Sequence, residues 1–108
     1  GGKVIVSSID RKTLDFYGAN FADLNGIIDQ LRTVKGCEVA IFIYETSNNE
    51  YKVSLRSNGI VDVSKIAYHF GGGGHIRAAG CTMAGTVNEI INNLTPHIEE
   101  QLKTERAL

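Results

Sequence analysis

The chain has 108 residues, a net charge of −1 and 43% hydrophobic residues. That length suits one domain, and the hydrophobic content is sufficient for a core, which excludes wholesale disorder. The charge near zero argues against a generally basic nucleic-acid-coating surface, and the absence of an apolar run of about 18 residues argues against a membrane span.

The first third of the chain predicts a strand followed by a helix. Residues 3–9 are short and β-branched, as in a strand, and we expect a turn with one helical turn over 10–20. Apolar residues at helical spacing then indicate a helix over 24–31, with Asn20 as its N-cap and Gly36 as its C-terminal stop. This apolar face consists of Leu24, Ile27, Ile28 and Leu31.

The middle of the chain predicts a β-hairpin. A continuous apolar run over 39–44 favours a strand covered on both faces. Residues 51–56 alternate strictly and form its partner after a polar turn at 46–50. The two faces of the second strand are Tyr51, Val53 and Leu55 on one side, and Lys52, Ser54 and Arg56 on the other.

After a turn at Asn58-Gly59, the chain predicts a short helix and a strand. Asp62 is suited to cap a helix over 63–70. The small apolar residues 79–84 indicate a strand, which Gly85 closes.

A final helix is predicted over 87–102. Thr86 and Glu89 have the spacing of a capping box at its start. Pro96 must either kink this helix or begin a second one with Thr95 as its cap.

The order of elements predicts a single small domain over 1–108. Strand, helix, strand, strand, helix, strand and helix follow one another, which favours an α/β fold close to the α+β class. We expect a mixed sheet of about four to five strands with helices packed on it.

The charges are unevenly distributed along the chain. Residues 52–77 contain four cations and one anion, a net +3, against −4 for the rest. A local positive site suits a small anionic ligand better than a long duplex, although four basic residues in such a stretch are also ordinary for a surface. These charged residues are Lys52, Arg56, Lys65 and Arg77, with Asp62 against them.

Four consecutive glycines, at 71–74, are the most informative segment. Glycine is costly to order, and one is enough to end a helix. The others let a ligand approach the backbone and let N–H groups converge on an anion, with His75 as a donor at the exit. Neither a Walker A lysine nor the dinucleotide-binding glycine spacing is present. The alternative is a flexible hinge.

Ser54 to Ser57 form the second candidate segment. Ser54 and Arg56 share a strand face, whereas Ser57 lies just past the strand end and can turn either way. Arginine offers phosphate a planar fork, and hydroxyl groups add donors. The alternative is the solvent face of an edge strand.

Catalytic groups are not indicated. The carboxylates are scattered, and His69 and His75, six residues apart, are a weak metal signal. Cys37 and Cys81 are expected in the core, and two cysteines suit a reducing cytoplasm. Tyrosines are expected in the core and at its rim, with the option that one stacks a base: Tyr17, Tyr44, Tyr51 and Tyr68.

Together, the motifs over 53–81 resemble the C-terminal DHH-associated domain of DHH-family phosphoesterases. The resemblance covers about the whole chain and is nearest to the NrnA type, oligoribonucleases and pAp phosphatases often labelled exopolyphosphatase-related. The motifs that carry it are Ser54-Leu55-Arg56-Ser57, Val61-Asp62-Val63-Ser64-Lys65-Ile66-Ala67, Phe70-Gly71-Gly72-Gly73-Gly74-His75 and Ala78-Ala79-Gly80-Cys81.

The resemblance implies a cytoplasmic hydrolase of two domains. The larger, N-terminal domain would carry an Asp-His-His motif and bind manganese, and the smaller would hold the nucleotide substrate. Arginine and serine of the Ser-Leu-Arg-Ser strand would contact phosphate or the terminal nucleotide, while the glycine loop would supply N–H groups and a histidine contact. The implied substrate-binding residues are Ser54, Arg56, Ser57, Gly72, Gly73, Gly74 and His75.

The Asp-His-His motif is absent from this sequence. We therefore expect no catalytic residue, metal ligand or cofactor in the chain, and no activity from it alone. The implied partners are a short RNA oligonucleotide, a nucleoside monophosphate or pAp, and the N-terminal domain; a homodimer remains open, and His69 and Arg77 have no assigned role. The alternatives are a non-catalytic RNA-binding module like that of alanyl-tRNA synthetases, a cyclic-dinucleotide phosphodiesterase and a RecJ-like exonuclease.

Overall fold

A computed structural model describes residues 3–10, 12, 21–31, 33–47 and 49–107. The predicted turn over 10–20 and the predicted cap at Asn20 lie largely outside these residues. The described strands are β1 (Lys3–Ile9), β2 (Cys37–Ser47), β3 (Glu50–Ser57), β4 (Gly73–His75) and β5 (Ala78–Ala84). The helices are α1 (Phe21–Leu31), α2 (Val63–His69) and α3 (Val87–Ala107).

The five strands form one mixed sheet in the order β1-β2-β3-β5-β4. β1 runs parallel to β2, and the remaining pairs are antiparallel. The predicted α/β class and hairpin are confirmed. The structure adds β4, which the sequence predicted as a loop because glycine is depleted in strands and gives no alternating pattern.

One face of the sheet is sealed by α2 and α3. Side chains of β2, β3 and β5 pack there against Ile66 of α2 and Leu94 of α3. Each large apolar side chain buried in this way contributes about 1.5–3 kcal/mol. We call this the closed face, and its strand residues are Val39, Ile41, Ile43, Val53, Leu55, Ala79, Cys81 and Met83.

The opposite face is covered along β1 and β2. There Ile28 and Leu31 of α1 pack against Ala40, Phe42 and Tyr44 of β2. The same face continues across β3, β5 and β4, because residues directly opposite each other in antiparallel strands point the same way. We call this second part the open shelf, and its residues are Lys52, Ser54, Arg56, Gly73, His75, Ala78, Gly80 and Thr82.

The capping predictions are confirmed for both later helices. Asp62 accepts hydrogen bonds from the N–H groups of Ser64 and Lys65 at the start of α2. At the start of α3, the Thr86 N–H donates to Glu89 Oε1 at 3.3 Å and the Glu89 N–H donates to Thr86 Oγ1 at 3.2 Å. Local side chains thus fix where each helix begins.

Of the two alternatives that the sequence left open for Pro96, the start of a second helix is wrong. α3 continues through Pro96 as one helix, and the Thr95 hydroxyl donates to the Ile91 carbonyl at 2.7 Å instead of capping a new segment. Leu94 and Ile98, on either side of the proline, are both buried on the closed face. This packing outweighs the cost of an interior proline, about 3 kcal/mol. None of the described helices has the length and apolar character needed to cross a bilayer.

Candidate functional site

A shallow pocket of about 350 Å³ lies on the open shelf. It brings together four of the predicted site residues, two from β3 and two from the glycine run. These are Ser54, Arg56, Gly73 and Gly74. The rest of the lining is Lys52 and the small residues Ala78, Ala79 and Gly80. The pocket therefore has a flat floor of small side chains with two cations beside it.

Arg56 is held at the border of the shelf by two hydrogen bonds. Its Nε donates to Asp29 Oδ1 of α1 at 3.3 Å, and its Nη1 donates to the Leu55 carbonyl at 3.1 Å. The Arg56 side chain is 15% exposed, whereas that of Asp29 is 59% exposed. These bonds orient the guanidinium while using only part of its donor set. The geometry leaves a planar cationic fork next to the pocket floor.

Three glycines of the run are required by the fold itself. Gly71 has a φ of +86°, and its N–H donates to the Tyr68 carbonyl at the end of α2. A Cβ on Gly72 would lie 2.1 Å from the Gly80 carbonyl oxygen. Gly74 has a φ of +144°, and a Cβ there would lie 2.5 Å from Cα of Ala79. Positive φ and close backbone approach are conditions that only glycine meets without strain.

Gly73 is different. Its φ lies outside the positive region, and no heavy atom would lie within 4 Å of a Cβ placed on it. Packing within the described residues therefore gives no reason for glycine at this position. Gly73 pairs with Gly80, which pairs with Ser54, so the three form one row across the shelf. The missing side chain leaves open space above this row.

The structure does not bring Gly72 or Ser57 to the shelf in the predicted way. The Gly72 N–H donates to the Ala67 carbonyl at 2.8 Å, so it serves the end of α2. Ser57 is fully buried, and its hydroxyl accepts a hydrogen bond from the Gly59 N–H at 3.3 Å. Strand alternation places Ser57 on the side of Val53 and Leu55, a direction that the sequence left open.

The β4–β5 turn is anchored at three points. The Val63 N–H donates to the Ile76 carbonyl at 3.0 Å, and the Ser57 N–H donates to the Arg77 carbonyl at 2.9 Å. The Arg77 side chain adds a longer bond, from Nη1 to the Asn58 carbonyl at 3.5 Å. These contacts give Arg77, unassigned from the sequence, a place in fixing the glycine strand beside β5. His75, in register with Ala78, lies exposed at this end of the shelf.

A second pocket, of about 790 Å³, lies between α2 and β4. It shares Gly73 and Gly74 with the first pocket, so both pockets border the glycine strand. Tyr68, one of its lining residues, is 80% exposed. His69 lies on the exposed side of its helix, with its ring centroid 4.4 Å from that of His97. The remaining lining residues are Ser64 and Lys65.

Comparison with known proteins now identifies the family. The DHHA1 domain profile matches residues 1–104. The chain belongs to the DHHA1 domain family. Over 63 residues it is 40% identical to the bifunctional oligoribonuclease and PAP phosphatase NrnA of Thermus thermophilus, a match that covers 58% of this chain and 19% of that protein. The matched part of this DHHA1 domain therefore covers about a fifth of the length of that relative.

Two solved structures share the fold of this DHHA1 domain. An exopolyphosphatase-related protein from Bacteroides fragilis matches with a TM-score of 0.77 at 23% identity, covering 90% of this chain and 28% of that one. The C-Ala domain of Aquifex aeolicus alanyl-tRNA synthetase matches with a TM-score of 0.66 at 14% identity, covering 88% of this chain and 89% of that one. At these identities the likeness concerns the fold alone.

The described part of this DHHA1 domain offers no metal centre. Nowhere in it do three or more His, Cys, Asp or Glu side chains gather closely enough to hold an ion. Cys37 and Cys81 are both buried, and burial raises the pKa of the Cys81 thiol to about 11. A thiol that stays protonated at neutral pH is a poor nucleophile.

Sequence reasoning did not select Lys52 and Gly80, which also line the candidate pocket. The alternating pattern already placed Lys52 on the same strand face as Ser54 and Arg56, so its signal was present. Gly80 gave no signal of its own, because its place beside Gly73 and Ser54 depends on the register of three strands.

Proposed function

We propose that this DHHA1 domain binds the terminal nucleotide of a short RNA oligonucleotide, or pAp, and presents it to a separate Asp-His-His domain for hydrolysis. The row of Ser54, Gly80 and Gly73 on the open shelf carries the proposal. This row forms a flat floor beside two cations, Lys52 and Arg56. It also contains Gly73, at which packing does not require a glycine. Close approach of a ligand is the physical reason for a bare backbone at such a place.

The shelf matches the parts of a nucleotide. The Arg56 fork suits two phosphate oxygens at once, and Lys52 adds a second positive charge. The ribose and base lie over Gly73 and Gly80, where no side chain holds them away from the strands. Ser54, 8% exposed at the floor, supplies a hydroxyl that can donate or accept.

The edge strand adds main-chain donors. β4 is the last strand of the sheet, and an edge strand presents backbone groups that no neighbouring strand pairs. Because successive N–H groups of a strand point to opposite edges, one of the two residues Gly73 and Gly74 can fill this role, and we assign it to that pair. We assign His75 to a side-chain contact at the end of the shelf. In this proposal Ser57 acts through its buried hydrogen bond to Gly59, which fixes the end of β3, and not by touching the ligand.

Binding and chemistry are divided between two domains in this proposal. The described residues do not fit a manganese site, so we assign the metal and the hydrolytic step to the Asp-His-His domain and expect the present chain alone to be inactive. The substrate class is proposed from the shelf together with the NrnA relative, whose name includes oligoribonuclease and PAP phosphatase. We place the parent protein in the cytoplasm.

Titration with AMP tests the proposal. The wild-type chain should bind AMP in the millimolar range or tighter, and Arg56→Ala should weaken binding about tenfold by removing a charge-assisted contact. Lys103→Ala, which removes a cation from the exposed surface of α3, is the matched control and should bind like the wild type. Equal affinity for wild type and Arg56→Ala would overturn the proposal. Tight, salt-dependent binding of tRNA with no AMP binding would favour the RNA-binding alternative.

A further inference from the structure

Tyr68 is the most exposed of the large hydrophobic side chains among the described residues, at 80%. It has no part in the core, because α2 meets the sheet through Val63, Ile66 and Ala67. Its ring instead borders the pocket between α2 and β4. An aromatic face that the fold leaves in solvent beside a pocket is available for stacking.

The chemistry around Tyr68 is that of a single-stranded nucleic-acid site. Lys65 lies three residues before Tyr68 and Ser64 four residues before it, so all three share one side of α2. A cation and a hydroxyl therefore accompany the ring. Proteins that hold single strands combine positive charge for the backbone with aromatic rings on which bases stack.

The two pockets border the same glycine strand. Gly73 and Gly74 line both of them, and no side chain rises from Gly73 to separate them. A strand whose first nucleotide lies on the open shelf would cross only the edge strand β4 to reach Tyr68. The open space at Gly73 would therefore serve two purposes. It leaves room for the nucleotide on the shelf and for the phosphate linkage to the neighbouring nucleotide at Tyr68.

We propose that Tyr68 forms a second base-binding subsite, in which it stacks the neighbouring base of an oligonucleotide while Lys65 faces its phosphate. This inference rests on the proposed function of the shelf and extends it. It makes the domain sensitive to substrate length: a mononucleotide or pAp uses the shelf, whereas a dinucleotide also uses Tyr68.

The test compares AMP with the dinucleotide pApA on the same chain. Wild type should bind pApA about tenfold more tightly than AMP, the gain expected for one stacked base. Tyr68→Ala should remove that gain and leave AMP affinity unchanged. Tyr68→Phe, which keeps the ring, should retain it, and Val34→Ala, which truncates another exposed apolar side chain away from both pockets, should bind both ligands like the wild type.

The outcomes separate the two proposals. If Arg56→Ala weakens AMP binding while Tyr68→Ala leaves pApA affinity unchanged, the shelf stands and the second subsite is overturned. An equal loss for AMP and pApA in Tyr68→Ala would also overturn it, because the residue would then belong to the first site or to the fold. If wild type binds neither ligand, both proposals fail.

Discussion

The two faces of strand β3 differ in burial and in chemical character. On the closed face, Val53 and Leu55 are fully buried beneath α2 and α3. On the open shelf, Lys52 and Arg56 stand beside a floor of small residues. Because successive side chains of a strand point to opposite faces, one strand contributes every second residue to the core and the others to the shelf for which we propose ligand binding. Substitutions on the two faces should therefore change different measurements.

The largest difference in stability is expected between Leu55→Ala and Thr82→Ala. Leu55 is fully buried, so its truncation should lower the free energy of unfolding by about 2–5 kcal/mol. Thr82 is exposed on the shelf side, and its truncation should change the free energy by about 0.5 kcal/mol or less. Urea unfolding curves measure both, and equal losses would contradict the division between the faces.

Substitution of the neighbouring glycines Gly72 and Gly73 by alanine gives a matched comparison of stability and binding. Gly72→Ala places a methyl group against the Gly80 carbonyl and Cα of Cys81, so it should destabilise the chain by about 1–3 kcal/mol. Gly73→Ala meets open space and should leave the melting temperature almost unchanged while weakening AMP binding. Thermal melts followed by circular dichroism, with parallel titrations, measure both effects. A strongly destabilised Gly73→Ala variant would mean that the fold, and not a ligand, requires this glycine.

The Arg56→Ala variant should keep its stability. Its partner Asp29 is 59% exposed, and an ion pair with one solvent-exposed member contributes about 0–1 kcal/mol. Urea unfolding of Arg56→Ala should therefore resemble that of the wild type even though AMP binding falls about tenfold. If stability and binding were lost together, Arg56 would be a structural residue of the α1–β3 contact.

Asp62 should make stability depend on pH in the acid range. The hydrogen bond from the Ser64 hydroxyl, with bonds from the N–H groups of Lys65 and Ser64, holds the pKa of the Asp62 carboxyl below its ordinary value. Its stabilisation is therefore present above the unfolded pKa of about 3.9 and is lost as the pH falls through the lower folded value.

Two variants isolate this effect. Asp62→Ala should cost about 1 kcal/mol at neutral pH because α2 loses its N-cap, and the cost should shrink in acid. Asp62→Asn keeps a capping oxygen without the titration, so its stability should depend less on pH over this range. Urea midpoints at neutral and acid pH distinguish the two, and an Asp62→Ala cost that is constant with pH would contradict the assignment.

The smallest effect is expected for the reactivity of the Cys81 thiol in the native chain. Burial raises the pKa of Cys81 to about 11, so its thiol should resist an alkylating reagent at mildly alkaline pH and react once the chain is unfolded. Keeping this thiol neutral stabilises the fold below its ordinary pKa, and that contribution is lost as the pH rises toward about 11. Mass spectrometry of labelled protein reports the reaction, and rapid labelling of native Cys81 would show that the closed face opens.

The sequence was most informative where a local rule acts alone. The Asp62 cap, the Thr86–Glu89 capping box and the alternation of 51–56 each depend on residues a few positions apart, and all are confirmed. For Pro96 the local rule left two alternatives, a kink within one helix or the start of a second helix. Only the burial of Leu94 and Ile98 against the sheet shows that one helix continues through it.

The site was harder to predict because it depends on register. No local pattern distinguishes Gly72, whose N–H completes α2, from Gly73, which faces open space. Only pairing across β3, β5 and β4 places Gly73, Gly80 and Ser54 in one row. The resemblance to DHH phosphoesterases predicts ligand contacts within these segments. The structure shows which of their residues line the pocket on the shelf and which make hydrogen bonds within the fold.

Mapping AMP onto the chain by backbone amide chemical shifts tests the central claim most directly. The shelf predicts shifts at Ser54, Arg56, Gly73 and Gly80 that saturate with added AMP, while the amides of α3 around Leu94 stay unchanged. No shift at millimolar AMP, or shifts confined to α3, would contradict the assignment of nucleotide binding to the open shelf.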